Sequence, residues 1–155
     1  MYGGALAGRL VAAAGFLSVA ACASNVADNG TNSAGEDGAL RADLTILIAR
    51  PYADSVSYGL VCGPAGASLE GDPEIDPARA CSALSEAAVR QRLLEGPPAE
   101  RACTLIYGGP EQAFITGTLD GAPVDARVSR DDGCGIADWE QLLADLLVAV
   151  GEGDR

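Results

Sequence analysis

The chain has 155 residues, and its 22 acidic and ten basic residues give a formal net charge of −12. This length suits one domain with a single hydrophobic core. All the basic residues are arginine and histidine is absent, which excludes histidine-based catalytic triads, histidine metal ligands and Schiff-base lysines. The acidic excess opposes binding to nucleic acid, so we expect no nucleic-acid partner, and we do not expect an enzyme.

The first 22 residues carry the features of a bacterial export signal. A short segment ending at Arg9 precedes an uncharged stretch, 10–21, that is too short to span a bilayer in the mature protein. The run Val19-Ala-Ala-Cys22 resembles a lipobox, in which the cysteine becomes a lipidated N-terminus. We predict a signal peptide over 1–21 and a lipid anchor at Cys22 on the outer face of the bacterial cell membrane. An ordinary secretory signal, giving a secreted protein, is the alternative.

A segment of small and polar residues, 22–42, follows the predicted cleavage site. It has no periodic apolar pattern to bury, so we predict a flexible tether. A tether of this length holds a domain about 25 Å from its anchor. The folded domain is predicted over 43–151.

Two strands are predicted at the start of the domain. Leu44, Ile46 and Ile48 alternate with other side chains, and a second alternating run covers Val56–Cys62 after a turn at 51–54. Strands joined by so short a turn are expected to pair antiparallel.

A helix is predicted next, in the middle of the domain. Asp76 and Pro77 have the residue types of an N-cap and a first helical residue. The alanine-rich sequence that follows continues to about Leu93 and stops at Gly96.

A hairpin is predicted after this helix. The dipeptide Asp120-Gly121 favours the positive φ angles of a two-residue turn. The runs 114–119 and 123–129 are its predicted strands.

An amphipathic helix is predicted to close the domain. Asp138 and Gln141 have the spacing of a capping box. Apolar residues then recur at helical spacing before Gly151: Trp139, Leu142, Leu143, Leu146, Leu147 and Val150. We expect this stripe in the core, with a partner surface as the alternative.

Four cysteines remain once Cys22 is set apart. They are Cys62, Cys81, Cys103 and Cys134. An even number in an exported chain favours disulfides, and spacing alone permits three pairings. A metal site is the alternative, but the chain has neither a Cys-x-x-Cys motif nor histidine.

Acidic residues are grouped at two places in the predicted loops. Asp72, Glu74 and Asp76 alternate, but they lack the glycine and distal glutamate of a calcium loop, and Asp76 is needed as an N-cap. Asp131 and Asp132 are interpreted as a solvated turn and not as a catalytic pair. The sequence therefore predicts no metal and no cofactor.

Four runs of sequence, taken in order, resemble one family. They are Leu60-Val-Cys62-Gly-Pro64-Ala-Gly66, Asp76-Pro77-Ala-Arg-Ala-Cys81-Ser-Ala-Leu84, Cys103-Thr-Leu-Ile-Tyr107 and Gly117-Thr-Leu-Asp-Gly121-Ala-Pro-Val124. Together they are similar to the Streptomyces subtilisin inhibitor family over about residues 43–138. The resemblance implies an α+β domain, in which helices cover a five-stranded antiparallel sheet. It also implies two disulfides, Cys62 with Cys81 and Cys103 with Cys134.

The resemblance further implies a serine protease inhibitor that acts through a substrate-like loop. By its position after Cys103, the reactive-site bond joins Leu105 (P1) to Ile106 (P1′). The further loop residues expected to contact a protease are Ala102, Cys103, Thr104 and Tyr107. Leucine at P1 implies a subtilisin-like or chymotrypsin-like target.

Some features depart from the family. Asp132-Gly133 replaces an asparagine that braces the reactive loop, and Gly108-Gly109 replaces a more rigid residue, so a looser loop is expected. A non-inhibitory extracytoplasmic lipoprotein module on the same fold is therefore the alternative function. For Thr104–Tyr107, the alternative is a buried strand, because these residues have high β propensity. A monomer and a homodimer formed through the sheet both remain open.

Overall fold

A computed structural model describes residues 38–71 and 73–148. These residues form a five-stranded antiparallel sheet, three short α-helices and two disulfides, so the predicted α+β class is confirmed. The predicted signal peptide, Cys22, most of the tether, Asp72 and the segment from 149 onward lie outside the described residues. None of the described helices is long and apolar enough to cross a membrane.

The sheet has the strand order β3-β2-β1-β4-β5, and all neighbouring strands are antiparallel. The strands are β1 (Ala42–Ala49), β2 (Val56–Gly63), β3 (Gly66–Glu70), β4 (Gln112–Leu119) and β5 (Ala122–Ser129). The helices are α1 (Pro77–Ala83), α2 (Ala87–Leu94) and α3 (Gly133–Ala137), and a π-helical turn covers Asp138–Leu142. The inward side chains of the strands and the helices form one hydrophobic core.

The two strands predicted at the start of the domain are β1 and β2. Leu44 pairs with Leu60 and Ile46 with Tyr58, and all four side chains are buried. Burying a leucine or isoleucine contributes roughly 1.5–3 kcal/mol, which selects this register over one shifted by a residue. The fold begins slightly earlier than predicted, because Leu40 already packs against the core.

Strand β3 has no counterpart among the elements predicted from hydrophobic alternation. It lies at the edge of the sheet, and its residues are exposed or only half-buried. An edge strand with so little burial needs no apolar alternation, which is why the pattern is missing.

The single helix predicted from Asp76 is two helices in the structure. The Asp76 carboxylate accepts hydrogen bonds from the amides of Ala78 (2.9 Å) and Arg79 (3.3 Å), so the predicted N-cap is confirmed. The helix nevertheless ends at Ala83 and a second begins at Ala87. Leu84 and Val89, both fully buried, would point about 140° apart on one straight helix. The break allows both to face the core.

The predicted hairpin is confirmed as β4 and β5. Asp120 and Gly121 have φ angles of 49° and 80° and form its two-residue turn. The Asp120 carboxylate also accepts a hydrogen bond from the Arg41 amide (2.8 Å) and pairs with Arg90 (2.8 Å). The turn is therefore tied to the start of β1 and to α2.

The closing segment differs from the predicted amphipathic helix. Helix α3 begins at Gly133 with Asp132 as its N-cap, so the N-cap predicted at Asp138 is wrong. The Asp138 carboxylate is buried in ion pairs with two arginines, which leaves it no role as a cap. The prediction that the apolar stripe lies in the core is confirmed for four of its side chains. Four apolar side chains of this segment are buried: Trp139, Leu143, Leu146 and Leu147.

Both disulfides have the pairing implied by the family resemblance. Cys62–Cys81 joins β2 to α1, and Cys103–Cys134 joins the loop before β4 to α3. The first anchors a helix on the sheet. The second lies at the candidate functional site.

Candidate functional site

The segment 101–110 is an irregular loop between α2 and β4, and we call it the exposed loop. Leu105 is 98% exposed, Ile106 61% and Tyr107 64%. The alternative of a buried strand at Thr104–Tyr107 is therefore wrong. The backbone of the loop bonds to the segment just after β5 and to the start of α3, and not to an edge of the sheet.

Three consecutive large apolar side chains in water are unfavourable unless a partner covers them. Contiguous exposed apolar surface of this kind marks binding sites in soluble proteins. The three side chains belong to Leu105, Ile106 and Tyr107, for which the family resemblance implies positions P1, P1′ and P2′. The exposed loop is therefore the candidate functional site of the described residues.

Backbone hydrogen bonds hold the exposed loop on both sides of these three residues. The amide of Gly133 donates to the carbonyl of Thr104 (3.0 Å). The amide of Gly108 donates to the carbonyl of Arg130 (2.8 Å). Between these two bonds, Leu105 is almost completely exposed, and Ile106 and Tyr107 are about one-third covered.

The Cys103–Cys134 disulfide reinforces the first of these attachments. Cys103 lies two residues before Leu105, and Cys134 directly follows Gly133. The disulfide and the Thr104–Gly133 hydrogen bond therefore attach adjacent residues of the loop to adjacent residues of α3. A covalent and a polar link at one place keep the backbone before Leu105 close to α3.

Two glycines let the loop approach α3 closely. A Cβ atom on Gly108 would lie 2.7 Å from Ile136 Cγ1, and one on Gly133 would lie 2.0 Å from Thr104 Oγ1. A larger residue at either position would force the neighbouring side chain or the loop to shift. The glycines that led us to expect a looser loop therefore take part in contacts that hold it.

A largely buried ion-pair cluster holds Arg101, the first residue of the N-terminal arm (101–104) of the exposed loop. The Arg101 guanidinium binds Asp138 through two nitrogens, at 2.6 and 3.2 Å. Arg92 Nε binds the same carboxylate at 2.7 Å, and Arg92 Nη2 donates to the carbonyl of Arg127 on β5 at 2.7 Å. The Arg92 and Asp138 side chains are both 6% exposed. The hydrogen bond to Asp138 raises the pKa of Arg101 further above its already high value.

A second cluster centres on Arg130, whose carbonyl binds the C-terminal arm (108–110) of the exposed loop. Arg130 binds Glu111 at 3.3 Å and Glu140 at 2.7 Å, and the Arg130 and Glu111 side chains are largely buried. The same arginine supplies the carbonyl that Gly108 binds. Sequence reasoning missed both clusters, because their members come from distant parts of the chain and form no local motif.

Among the described residues, one group of side chains has the spacing of a metal site, and its members are already engaged. Cys103, Cys134 and Asp132 lie close together, but the two sulfurs form a disulfide and cannot act as thiolates. The Asp132 carboxylate caps α3 by accepting the Gly135 amide at 2.7 Å. Asp76 is likewise occupied as the cap of α1. The Cys103–Asp132–Cys134 group therefore does not fit a metal-binding site.

No protein-family model, curated protein or solved structure matches this chain. The class of the domain is thus defined by its geometry, which is an α+β fold with an apolar loop anchored on both sides. The resemblance to the subtilisin inhibitor family rests on the four sequence runs given above.

Proposed function

We propose that this protein inhibits subtilisin-like and chymotrypsin-like serine proteases by presenting the Leu105–Ile106 peptide bond as a substrate. One observation carries the proposal. Leu105 is almost completely exposed at the centre of a loop that a disulfide and two backbone hydrogen bonds attach to the domain. An apolar side chain held in this way suits the hydrophobic S1 pocket of such proteases.

Binding places the loop in the cleft of the protease as an added strand. Arg101 and Ala102 supply backbone groups for pairing with the cleft. The Leu105 side chain enters the S1 pocket, where its burial contributes roughly 1.5–3 kcal/mol. The Leu105 carbonyl oxygen then lies in the oxyanion hole. Because the loop is ordered before binding, less entropy is lost on association.

The step that fails is the separation of the two chain ends that cleavage creates. The protease serine oxygen forms an ester with the Leu105 carbonyl carbon, and the Ile106 nitrogen leaves with a proton as an amine. The Cys103–Cys134 disulfide and the Gly108–Arg130 hydrogen bond hold the two new ends near each other. The amine therefore re-attacks the ester and restores the peptide bond before water hydrolyses it.

The proposed location is the outer face of the bacterial membrane. It rests on the lipobox-like run before Cys22 and on the small polar residues that follow it. An acylated cysteine supplies the membrane affinity, and the tether gives the domain reach towards a protease near the cell surface.

Titration of the purified protein against subtilisin, chymotrypsin and trypsin tests the function. We expect subtilisin and chymotrypsin to lose activity towards a peptide substrate at near-equimolar inhibitor, and trypsin to be affected little. The reduced and alkylated protein serves as the control. Full activity of all three proteases at micromolar inhibitor would favour the non-inhibitory lipoprotein module instead.

A further inference from the structure

The π-helical turn Asp138–Leu142 carries an ion-pairing residue for each arm of the exposed loop. Asp138 binds Arg101 on the N-terminal arm, and Glu140 binds Arg130, which holds the C-terminal arm. We propose that this turn is a brace that positions both sides of the reactive-site bond. The inference rests on the proposed function and assigns positioning residues to it.

The N-terminal half of the brace is rigid because it is tied to the sheet. Arg92 holds Asp138 and also donates to the Arg127 carbonyl on β5. Asp138 then accepts two nearly parallel hydrogen bonds from Arg101, a geometry that fixes a guanidinium in orientation as well as in position. Arg101 is two residues before Cys103, so the brace continues directly into the disulfide.

The C-terminal half works through one more residue. Glu140 binds Arg130 Nη2 at 2.7 Å, and Glu111 binds Arg130 Nη1 at 3.3 Å. The carbonyl of Arg130 accepts the Gly108 amide. Holding the arginine therefore holds the backbone that receives the loop after Tyr107.

The brace has a specific consequence for inhibition. It should favour the intact loop over the cleaved one, because both new ends remain near their original positions. Loss of the brace should convert an inhibitor into a more ordinary substrate while the core remains folded. The measurable quantities are the initial rate of cleavage at Leu105–Ile106 and the ratio of cleaved to intact protein after long incubation with protease.

Arg101→Gln is the variant that removes the N-terminal half. Substitution of Asp138 is less suitable, because it would leave Arg92 buried without its counter-charge. We expect Arg101→Gln to raise the cleavage rate about tenfold, because a charge-assisted hydrogen bond to Asp138 is lost. Arg101→Lys keeps the charge but not the two-point contact, and should restore part of the difference.

Arg79→Gln is the matched control for Arg101→Gln. It makes the same substitution and the same change of charge in another Arg–Asp pair. Arg79, on α1, binds Asp145 at 2.9 Å. We expect its cleavage rate and cleaved-to-intact ratio to equal those of the wild type. Thermal unfolding of all variants checks that the core is intact.

Glu140→Gln tests the C-terminal half. Its effect should be only a fewfold, because the Glu140 side chain is half-exposed and Glu111 still holds Arg130. Glu86→Gln is its control, since the Glu86 side chain makes no capping hydrogen bond.

Amide hydrogen exchange distinguishes failure of the brace from failure of the inhibitory function. Exchange of the Gly133 amide should accelerate in Arg101→Gln, and that of Gly108 in Glu140→Gln, in the absence of any protease. If these amides exchange as in the controls and cleavage is unchanged, the brace is refuted. If they accelerate although wild type inhibits no protease, the brace stands and the inhibitory function falls.

Discussion

The Gly133 amide donates a hydrogen bond to the Thr104 carbonyl across 3.0 Å, one residue before the most exposed leucine of the described chain. Gly133 is also the first residue of α3, directly after its N-cap Asp132. The helix cap and the loop attachment are thus consecutive in sequence. Folding of α3 therefore fixes the backbone on which Leu105 projects, and an ordered loop of this kind binds with a smaller entropic cost.

Removing the Cys103–Cys134 disulfide should lower both the free energy of unfolding and the inhibition of proteases. For Cys103→Ser with Cys134→Ser, we expect the free energy of unfolding to fall by about 3–4 kcal/mol on the chain-entropy model, and protease to cleave and release the loop. Urea unfolding and mass spectrometry of the digest measure the two effects. The double variant Cys62→Ser with Cys81→Ser is the control, because that disulfide is remote from the loop in the fold. Undiminished inhibition without Cys103–Cys134 would contradict the religation mechanism.

The elements predicted correctly from sequence are those specified by local rules. Alternation in β1 and β2 follows from having one buried face, and Asp120-Gly121 has the conformational preference that its turn requires. The capping role of Asp76 is similarly local. In each case, residues a few positions apart decide the structure.

The elements missed depend on distant contacts. Asp138 has the residue type and spacing of an N-cap, yet Arg92 and Arg101, both more than 30 residues away, bind it in the interior. The break between α1 and α2 reflects the need to bury Leu84 and Val89 together. No local pattern contains this information.

The candidate site was predicted in part. The resemblance implied a loop after Cys103, and it also supplied the disulfide pairing that the structure confirms. The residues that hold the loop could not be predicted, because Gly108 and Gly133 act through backbone contacts and close approach. Glycine in a sequence indicates flexibility as readily as tight packing.

The buried Tyr58 should make the domain less stable at alkaline pH. Burial raises the pKa of Tyr58 above its ordinary value, and its hydroxyl donates to the Leu146 carbonyl at 2.5 Å. Above about pH 10 the unfolded state loses this proton while the folded state retains it, so the free energy of unfolding falls as pH rises. Tyr58→Phe should flatten that dependence. It should also lower the free energy of unfolding by roughly 1 kcal/mol at neutral pH, because the hydrogen bond is lost.

Urea unfolding at about pH 8 and about pH 11 measures the Tyr58 effect. Tyr52→Phe is the control, because Tyr52 is exposed and its loss should leave the pH dependence as in the wild type. An equal slope in Tyr58→Phe and wild type would show that another group controls alkaline unfolding.

Cys22 should determine where the protein resides. We expect the wild type in the membrane fraction of a bacterial host, with acyl chains on Cys22 detectable by mass spectrometry of the N-terminal peptide. Cys22→Ser should block processing or move the protein to the soluble fraction, because the acyl chains supply the membrane affinity. A soluble wild type whose signal is cut elsewhere would refute the lipid anchor.

The proposed reactive site is tested most directly by Leu105→Lys, assayed for inhibition of subtilisin and trypsin side by side. Leu105 is 98% exposed, so the substitution should not disturb the fold. Lysine satisfies the carboxylate of the trypsin S1 pocket, whereas subtilisin loses roughly 1.5–3 kcal/mol of apolar burial, about 10- to 150-fold in affinity. The control is Leu47→Lys on the outer face of β1, which should keep the wild-type specificity. We predict that Leu105→Lys inhibits trypsin strongly and subtilisin weakly; an unchanged order of inhibition, or no inhibition by either protein, would contradict the assignment of Leu105–Ile106 as the reactive-site bond.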